Sequence, residues 1–380
     1  MDFTLSPEHR RVQEKARAAA GELAGEAARL EREGRFPQDI LSRYAREGFF
    51  GVALPREHGG GGLDYVSYAL LQMELAQACP SSSLLVHVNH SLFGMGLARF
   101  GSEEQQRRYL PPAATGEVLT CFALTEPEAG SDPGGLRTAA EKRGEGWALT
   151  GVKNFVTAGD RARFGLVAAA TDPSLGAKGL SLFLVDLEQD GNLKRGAVEE
   201  KMGLKGAVSV SLHFEGTELP PDRLLGGLNQ GLKVALALLD GARVGAAAQA
   251  VGLGRAALGH AVRYAKGRRQ FGQPIAQFQA VQFKLADMAT ELEAAALLTL
   301  KAAWLRDQGR PYGAAAAMAK QYATDAAMRA ASEAVQILGG YGYLTDYPVE
   351  RLFRAAKAGQ IYEGTNEIMR LIIAREVLKG

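Results

Sequence analysis

Cysteine is nearly absent: Cys79 and Cys121 are the only two in 380 residues. That excludes a disulfide framework, a C-x-x-C motif and any cysteine cluster at metal-ligand spacing, and it fits a reducing, cytoplasmic setting. An excess of charge is lacking too. Forty-four Lys and Arg stand against 42 Asp and Glu, a balance that argues against a nucleic-acid partner held mainly by electrostatics. No run approaches the roughly 18 consecutive apolar residues needed to span a membrane, so no membrane partner is expected. Met1-Asp2-Phe3-Thr4-Leu5 has neither the basic nor the apolar region of a signal peptide. Internal repeats and low-complexity segments are also missing. What remains is a globular composition, 47% hydrophobic and 23% charged. The chain is too long for one compact core, so two or three domains and room for a large ligand are expected.

The hydrophobic period divides the chain into three parts. Ser6-Pro7-Glu8 reads as the start of a helix, and Val12, Ala16, Ala19, Leu23, Ala27 and Leu30 follow at helical spacing. Helices are predicted over 37–44 and 65–78, the second broken by Pro80, and one more over 81–99 with Leu84, Leu85, Val88, Leu92 and Leu97 on one buried face. His87 and His90, three apart on that helix, lack a further ligand at metal spacing and read as ordinary helix polar positions. A last helical stretch from Glu103 runs to Pro111-Pro112. From about residue 117 the period moves towards 2: Val208, Val210, Leu212 and Phe214 alternate with Ser209, Ser211 and His213, and similar runs lie at 118–124, 147–157, 164–170 and 180–187. These predict a small sandwich or barrel. After about residue 226 four or five long helices return, broken at Gly272-Gln273-Pro274, Gly309-Arg310-Pro311 and Gly339-Gly340. The expected organisation is mostly α, of the α+β class: a helical domain over 1–115, a β domain over 116–225 and a helical bundle over 226–380.

Two stretches carry candidate chemistry. The first is Gln360-Ile361-Tyr362-Glu363-Gly364-Thr365-Asn366-Glu367, where Glu363 sits on a turn ahead of the apolar run from Ile368 to Ile373 and Thr365 can cap the following helix. A carboxylate on a turn with no cationic neighbour in sequence suits a general base, because burial under a substrate raises its pKa. Taken alone, it reads equally as a solvated glutamate. The second is Cys121-Phe122-Ala123-Leu124-Thr125-Glu126-Pro127-Glu128-Ala129-Gly130-Ser131-Asp132. A third segment, Gly252-Leu253-Gly254-Arg255-Ala256-Ala257, fits the dinucleotide pattern G-x-G-x-x-A. It lies inside a helical pattern from about Leu236 to Lys266 with no preceding strand, so its small residues are expected to serve helix packing.

Together the first two stretches resemble the acyl-CoA dehydrogenases, FAD-dependent enzymes that desaturate acyl-CoA thioesters. The resemblance extends over essentially the whole chain and is closest to the short-chain, butyryl-CoA branch. It implies an N-terminal helical domain, a central β domain and a C-terminal four-helix bundle, with the flavin where they meet. It makes Glu363 the base that removes the α-proton while a β-hydride passes to the flavin, the thioester carbonyl being polarised by the Glu363 N–H and the flavin ribityl hydroxyl. It assigns Phe122, Leu124 and Thr125 to the isoalloxazine edge, Phe155 and Thr157 to its face, and Thr365 and Glu367 to the last flavin contacts. Many relatives have Trp where Phe155 stands and Asn where Ala158 stands, which bears on how electrons leave. Arg268, Gln270 and Phe271, with Gln279 nearby, correspond to a segment that reaches the FAD of a neighbouring subunit, and Gln336, Ile337, Gly339 and Gly340 to the adenine side. Ser131 would contact CoA, and Tyr362 and Gly364 would border the thioester. Asp240-Gly241-Ala242-Arg243 resembles the substrate tetrad of the short- and medium-chain branches, with Asp240 and Arg243 as binding residues. The long-chain and isovaleryl branches place their glutamate at the position of Ala242, which cannot take a proton. A homotetramer passing electrons to an electron-transfer flavoprotein is implied. The rival readings are an acyl-CoA oxidase, most of which carry a further C-terminal region, and a scaffold with a dead site.

Overall fold

The computed structural model describes residues 4–379; Met1–Phe3, part of the stretch read against a signal peptide, and Gly380 lie outside it. The first part holds α1 (Pro7–Glu33), α2 (Gln38–Arg46), α3 (Tyr65–Ala78), α4 (Pro80–His87), α5 (Met95–Phe100) and α6 (Glu103–Thr115). The Ser6 hydroxyl accepts the His9 N–H at 3.1 Å to cap α1, and Ala16, Ala19, Ala27 and Leu30 are buried as their spacing requires. Pro80 both ends α3 and starts α4, since the first turn of a helix has no use for its missing N–H. α6 continues through Pro111 and Pro112 to Thr115, beyond the expected stop, and the Thr115 hydroxyl donates to the Pro111 carbonyl at 3.0 Å.

The stretch predicted as one helix over 81–99 is α4 and α5 joined by a π-helical turn, Val88–Gly94. A single buried face is also wrong, because every residue from Ser81 to Leu97 is buried. The segment lies between the β domain and the C-terminal helices and packs on both, so neither side of it is wet.

The strands of the central sheet are β1 (Thr120–Ala123), β2 (Ala139–Arg143), β3 (Gly146–Thr157), β4 (Phe164–Ala170), β5 (Leu180–Asp186), β6 (Leu193–Arg195), β7 (Ser209–Leu219) and β8 (Leu224–Leu225). They follow the order β6-β7-β3-β2-β4-β5-β8, with β1 parallel to β4. β2 and β4 meet through one pairing, Ala139 with Ala170. The two halves hinge there and close on a shared core: Val167, Phe183 and Val185 from one half, Leu149, Val210, Leu212 and Phe214 from the other. This is the two-layered arrangement that the alternating runs predict.

The last part holds α7 (Gly231–Gly267), α8 (Gln279–Asp307), α9 (Gly313–Leu338), α10 (Pro348–Gly359) and α11 (Asn366–Val377). α7 to α10 pack as a bundle and α11 lies on α9. By length and composition α7 could cross a membrane, contrary to the expectation that no stretch could, but 78% of its apolar window is buried inside the protein. The G-x-G-x-x-A segment lies within α7. A Cβ on Gly252 would stand 2.1 Å from the Met73 carbonyl oxygen and one on Gly254 would stand 2.3 Å from Leu292. These glycines bring α7 against α3 and α8, as expected of a packing motif.

Candidate active site

Glu363 occupies the turn between α10 and α11 with φ of 56°, a left-handed backbone that glutamate adopts only when its surroundings enforce it. The enforcement is visible. Gly364 follows at φ 91°, a conformation open to glycine at little cost. Lys320 of α9 donates to the Gly364 carbonyl at 2.7 Å and to Asn366 Oδ1 at 2.9 Å, and Arg243 Nε of α7 donates to the Glu363 carbonyl at 3.4 Å. The Asn366 amide donates in turn to Asp325 Oδ1 at 2.7 Å and Thr324 Oγ1 at 2.9 Å, and the Asn366 N–H closes the loop on the Gln360 carbonyl at 3.0 Å. Thr365 caps α11, accepting from the Ile368 N–H. Lys320 is wholly buried, and burial pushes its ammonium down to about 8 against the attraction of Glu363.

The Glu363 side chain is 7% exposed, far from the solvated glutamate that its position in sequence suggests. Oε1 lies 3.3 Å from His87 Nε2, while Oε2 is buried with no partner among the described residues. The Glu363 N–H makes no hydrogen bond to the described residues, which leaves it free to donate to an incoming carbonyl. Ala242, the residue directly before Arg243, is fully buried and presents only a methyl. Arg243 is bridged to Asp240 at 2.6 Å, and burial outweighs that bridge to hold the Asp240 carboxyl above its usual range. The Tyr362 hydroxyl is directed into the core, where it donates to Gln249 Oε1 at 2.9 Å. Ser131 is exposed on the loop after the Glu126–Ala129 bridge.

In the β domain, Phe122, Leu124, Thr125 and Thr157 are half-buried, and the Thr125 and Thr157 hydroxyls engage no described residue. Just behind them Lys153 donates to Glu126 Oε1 at 2.6 Å and to the Leu124 carbonyl at 3.1 Å, while Glu126 accepts the N–H groups of Arg137 and Thr138. Burial alone would raise the Glu126 carboxyl, but Lys153 and these bonds hold it below its ordinary value. Phe155 is 66% exposed with φ of 56°. A third cluster surrounds a hollow of about 410 Å³ lined by Arg268, Gln270, Ile337, Gly339 and Gly340, together with Tyr264 and Tyr341. Phe271 (φ 51°, almost fully exposed) and Gln279 and Gln336, both exposed, lie outside its lining. No hydrogen bond among the described residues joins this cluster to the Glu363 turn.

Family models for the N-terminal, middle and C-terminal domains of acyl-CoA dehydrogenase match residues 6–117, 121–217 and 229–378. An acyl-CoA dehydrogenase of Bacillus subtilis is 46% identical over 95% of both chains. The human mitochondrial short-chain specific acyl-CoA dehydrogenase is 42% identical over 95% of this chain and 88% of its own length. The structure of butyryl-CoA dehydrogenase from Megasphaera elsdenii superposes with a TM-score of 0.97 at 38% identity, covering all of both chains. The chain belongs to the acyl-CoA dehydrogenase family. It is an oxidoreductase, and its cofactor is FAD.

The residues of this acyl-CoA dehydrogenase fit such a cofactor. Seven described non-glycine residues have positive φ, and four of them, Phe155, Ala158, Phe271 and Glu363, are positions that the sequence marks out. Backbone strain collected in this way is characteristic of ligand clamps. Unpaired threonine hydroxyls can meet a polar ring edge. Arg268, which forms no ion pair among the described residues, and the open backbone of Gly339 and Gly340, where an added Cβ would meet nothing within 4 Å, suit a phosphate or ribose. Sequence reasoning missed four buried residues: Lys320, Asn366, Tyr68 and above all His87, read as an ordinary polar position. A histidine on a segment with no wet face was the available signal, and it was hidden by the assumption that the helix had one.

Proposed function

We propose that this acyl-CoA dehydrogenase converts short-chain acyl-CoA thioesters to trans-2-enoyl-CoA, with Glu363 as the base. The observation that carries the reading is a buried carboxylate with one oxygen unpartnered, beside its own unengaged N–H, on a turn pinned from two helices. An α-proton is too weak an acid for a carboxylate unless the thioester carbonyl is polarised, and the Glu363 N–H is placed to begin that. Bound FAD supplies the acceptor for the β-hydride. Phe122, Leu124, Thr125, Phe155, Thr157, Thr365 and Glu367 would hold its ring end. Ser131, Asp240, Arg243, Tyr362 and Gly364 would hold the substrate. Electrons would leave to an electron-transfer flavoprotein across the exposed Phe155 region, in a cytoplasmic setting consistent with two free thiols.

Two relatives named for short-chain or butyryl-CoA substrates support a short acyl group, and no arginine lies between Ser81 and Ala98 to meet a distal carboxylate. The expected optimum of kcat/KM is about four to six carbons, rising a few-fold per methylene until the tail meets the pocket floor. Assays over roughly C4 to C16 with an artificial acceptor test this, and an optimum at about ten carbons or more overturns the chain length while leaving the family. Admitting oxygen after anaerobic reduction separates dehydrogenase from oxidase: slow reoxidation is expected, and rapid turnover with oxygen would favour the oxidase.

The Arg268 cluster stands apart from the Glu363 turn, which supports the view that Arg268, Gln270, Phe271, Gln279, Gln336, Ile337, Gly339 and Gly340 serve the FAD of a neighbouring copy. A homotetramer built from two dimers is expected, with flavin retention tied to assembly. Arg268→Ala should lose FAD on dilution faster than the parent protein. A monomer by light scattering with full FAD absorbance would contradict the shared site.

A further inference from the structure

His87 ends α4 directly before the π turn, wholly buried, with both ring nitrogens engaged. Nδ1 lies 2.8 Å from the Tyr68 hydroxyl and Nε2 lies 3.3 Å from Glu363 Oε1. The Tyr68 hydroxyl accepts from Ser91 Oγ at 2.7 Å, so its own proton is free to go to Nδ1. That direction places the imidazole proton on Nε2, pointing at the carboxylate. Donors thus run one way, from Ser91 through Tyr68 and His87 to Glu363. Tyr68 is held in turn by stacking on His90, ring centroids 4.2 Å apart, and His90 is fixed neutral by burial, with Nε2 accepting the Ala53 N–H at 3.2 Å. The opposing helix leaves room for this pair and for nothing larger: a Cβ on Gly245 of α7 would stand 2.4 Å from His87 Nδ1 and 2.6 Å from the Tyr68 hydroxyl.

We infer that His87 is a positioning residue of the dehydrogenation, its Nε2–H holding Oε1 of Glu363 so that Oε2 alone takes the substrate proton. The inference rests on the reading of Glu363 as base. A carboxylate on a flexible side chain can rotate out of line or turn either oxygen to the substrate. One directed hydrogen bond to Oε1 fixes the rotamer and leaves Oε2, the oxygen without a partner, as the acceptor. A donor on Oε1 also favours the charged form of Glu363, the form that can act as a base. The other groups that face this carboxylate are Tyr68 from α3, Arg243 from α7, Lys320 from α9 and Tyr362 beside it; His87 itself faces Tyr68, His90 and Glu363, with Arg306 of α8 behind them. Arg243 donates to the Glu363 carbonyl and to Asp240, Lys320 donates to the Gly364 carbonyl and to Asn366 Oδ1, and among the described residues only His87 bonds to the Glu363 carboxylate.

The test compares the holoenzyme with His87→Ala, His87→Gln and Tyr68→Phe, taking FAD content and thermal midpoint as the check on folding and reading kcat, KM and the acid limb of the kcat/KM–pH profile with butyryl-CoA. His87→Ala should lower kcat by about 10- to 100-fold with KM little changed, and should move the acid limb of the profile to higher pH, because the charged carboxylate has lost its donor. His87→Gln, whose amide can still donate to Oε1, should recover most of both effects. Tyr68→Phe, which frees the tautomer, should show a smaller shift of the same sign. A folded, FAD-replete His87→Ala protein with unchanged kcat and an unmoved acid limb overturns the inference. If His87→Ala does not hold FAD, Tyr68→Phe decides by the same limb, an unmoved limb in that folded, FAD-replete variant overturning the inference. Anaerobic bleaching of the unmodified holoenzyme by butyryl-CoA separates the two levels: bleaching with an unmoved limb removes the role of His87 alone, while no bleaching removes the dehydrogenase reading and the role of His87 with it.

Discussion

Glu363→Gln should lower turnover by on the order of 10³-fold or more while FAD and acyl-CoA binding stay nearly unchanged. The substitution keeps shape and keeps an oxygen for His87 to donate to, so the backbone bonds from Lys320 and Arg243 and the left-handed φ at this position have no reason to change. What is lost is the proton acceptor alone. Glu363→Asp is a useful companion, because it keeps a base and withdraws the oxygens by one methylene. It should fall between the parent and the Gln protein, since small displacements of a reacting group are costly. Loss of FAD from Glu363→Gln would instead mean that the turn depends on the carboxylate for its fold, and substantial residual turnover would mean that another residue is the base.

Lys153→Met is expected to be the most damaging change away from the reacting atoms, at about 3–5 kcal/mol, because it strands the Glu126 carboxylate in the interior. Both side chains are essentially inaccessible, 0% and 3% exposed, and lie 2.6 Å apart. Burial pushes the Lys153 ammonium down to about 8 despite its partner, which shows how much of the attraction is spent on desolvation. The pair nonetheless ties three segments together, since Glu126 also accepts from the backbone of Arg137 and Thr138 and Lys153 also donates to the Leu124 carbonyl. Those segments include the strand end that carries Phe122, Leu124 and Thr125, so flavin should be released at lower temperature in this variant. Because the Glu126 carboxyl is depressed in the folded protein, its contribution is present at neutral pH and is lost as the pH falls through its folded value, and that acid-side loss should disappear in Glu126→Gln. Pairing Lys153→Met with Glu126→Gln should restore much of the stability by removing the stranded charge. A cost below about 1 kcal/mol for Lys153→Met alone, measured by denaturation of the FAD-loaded protein, would show that the pair behaves as a surface bridge does.

Periodicity was enough to place most of the long elements, because a 27-residue helix such as α1 repeats its signal many times. It failed where the signal was short or two-sided. β2 carries Glu141, Lys142 and Arg143 exposed in a five-residue strand, so no alternation is there to be read. The π turn at Val88–Gly94 has no local signature, and its burial comes from neighbours on both sides that are distant in sequence. The site was legible in a different way. Glu363 was found through its resemblance to a family motif; nothing in Tyr362-Glu363-Gly364 announces a left-handed glutamate or a buried one. The groups that make it so are remote: Lys320 is 44 residues from the Gly364 it holds, Arg243 is 120 from Glu363 and His87 is 276. Gly245 shows the same limit, an unremarkable small residue in α7 until the fold brings His87 and Tyr68 against it.

The most direct test of the account is a single-turnover experiment: FAD-loaded protein mixed anaerobically with butyryl-CoA, with the flavin absorbance followed for the unmodified enzyme and for Glu363→Gln. Prompt bleaching is expected in the first and a yellow, ligand-bound protein in the second. Bleaching of Glu363→Gln at a rate comparable to the unmodified enzyme would contradict it.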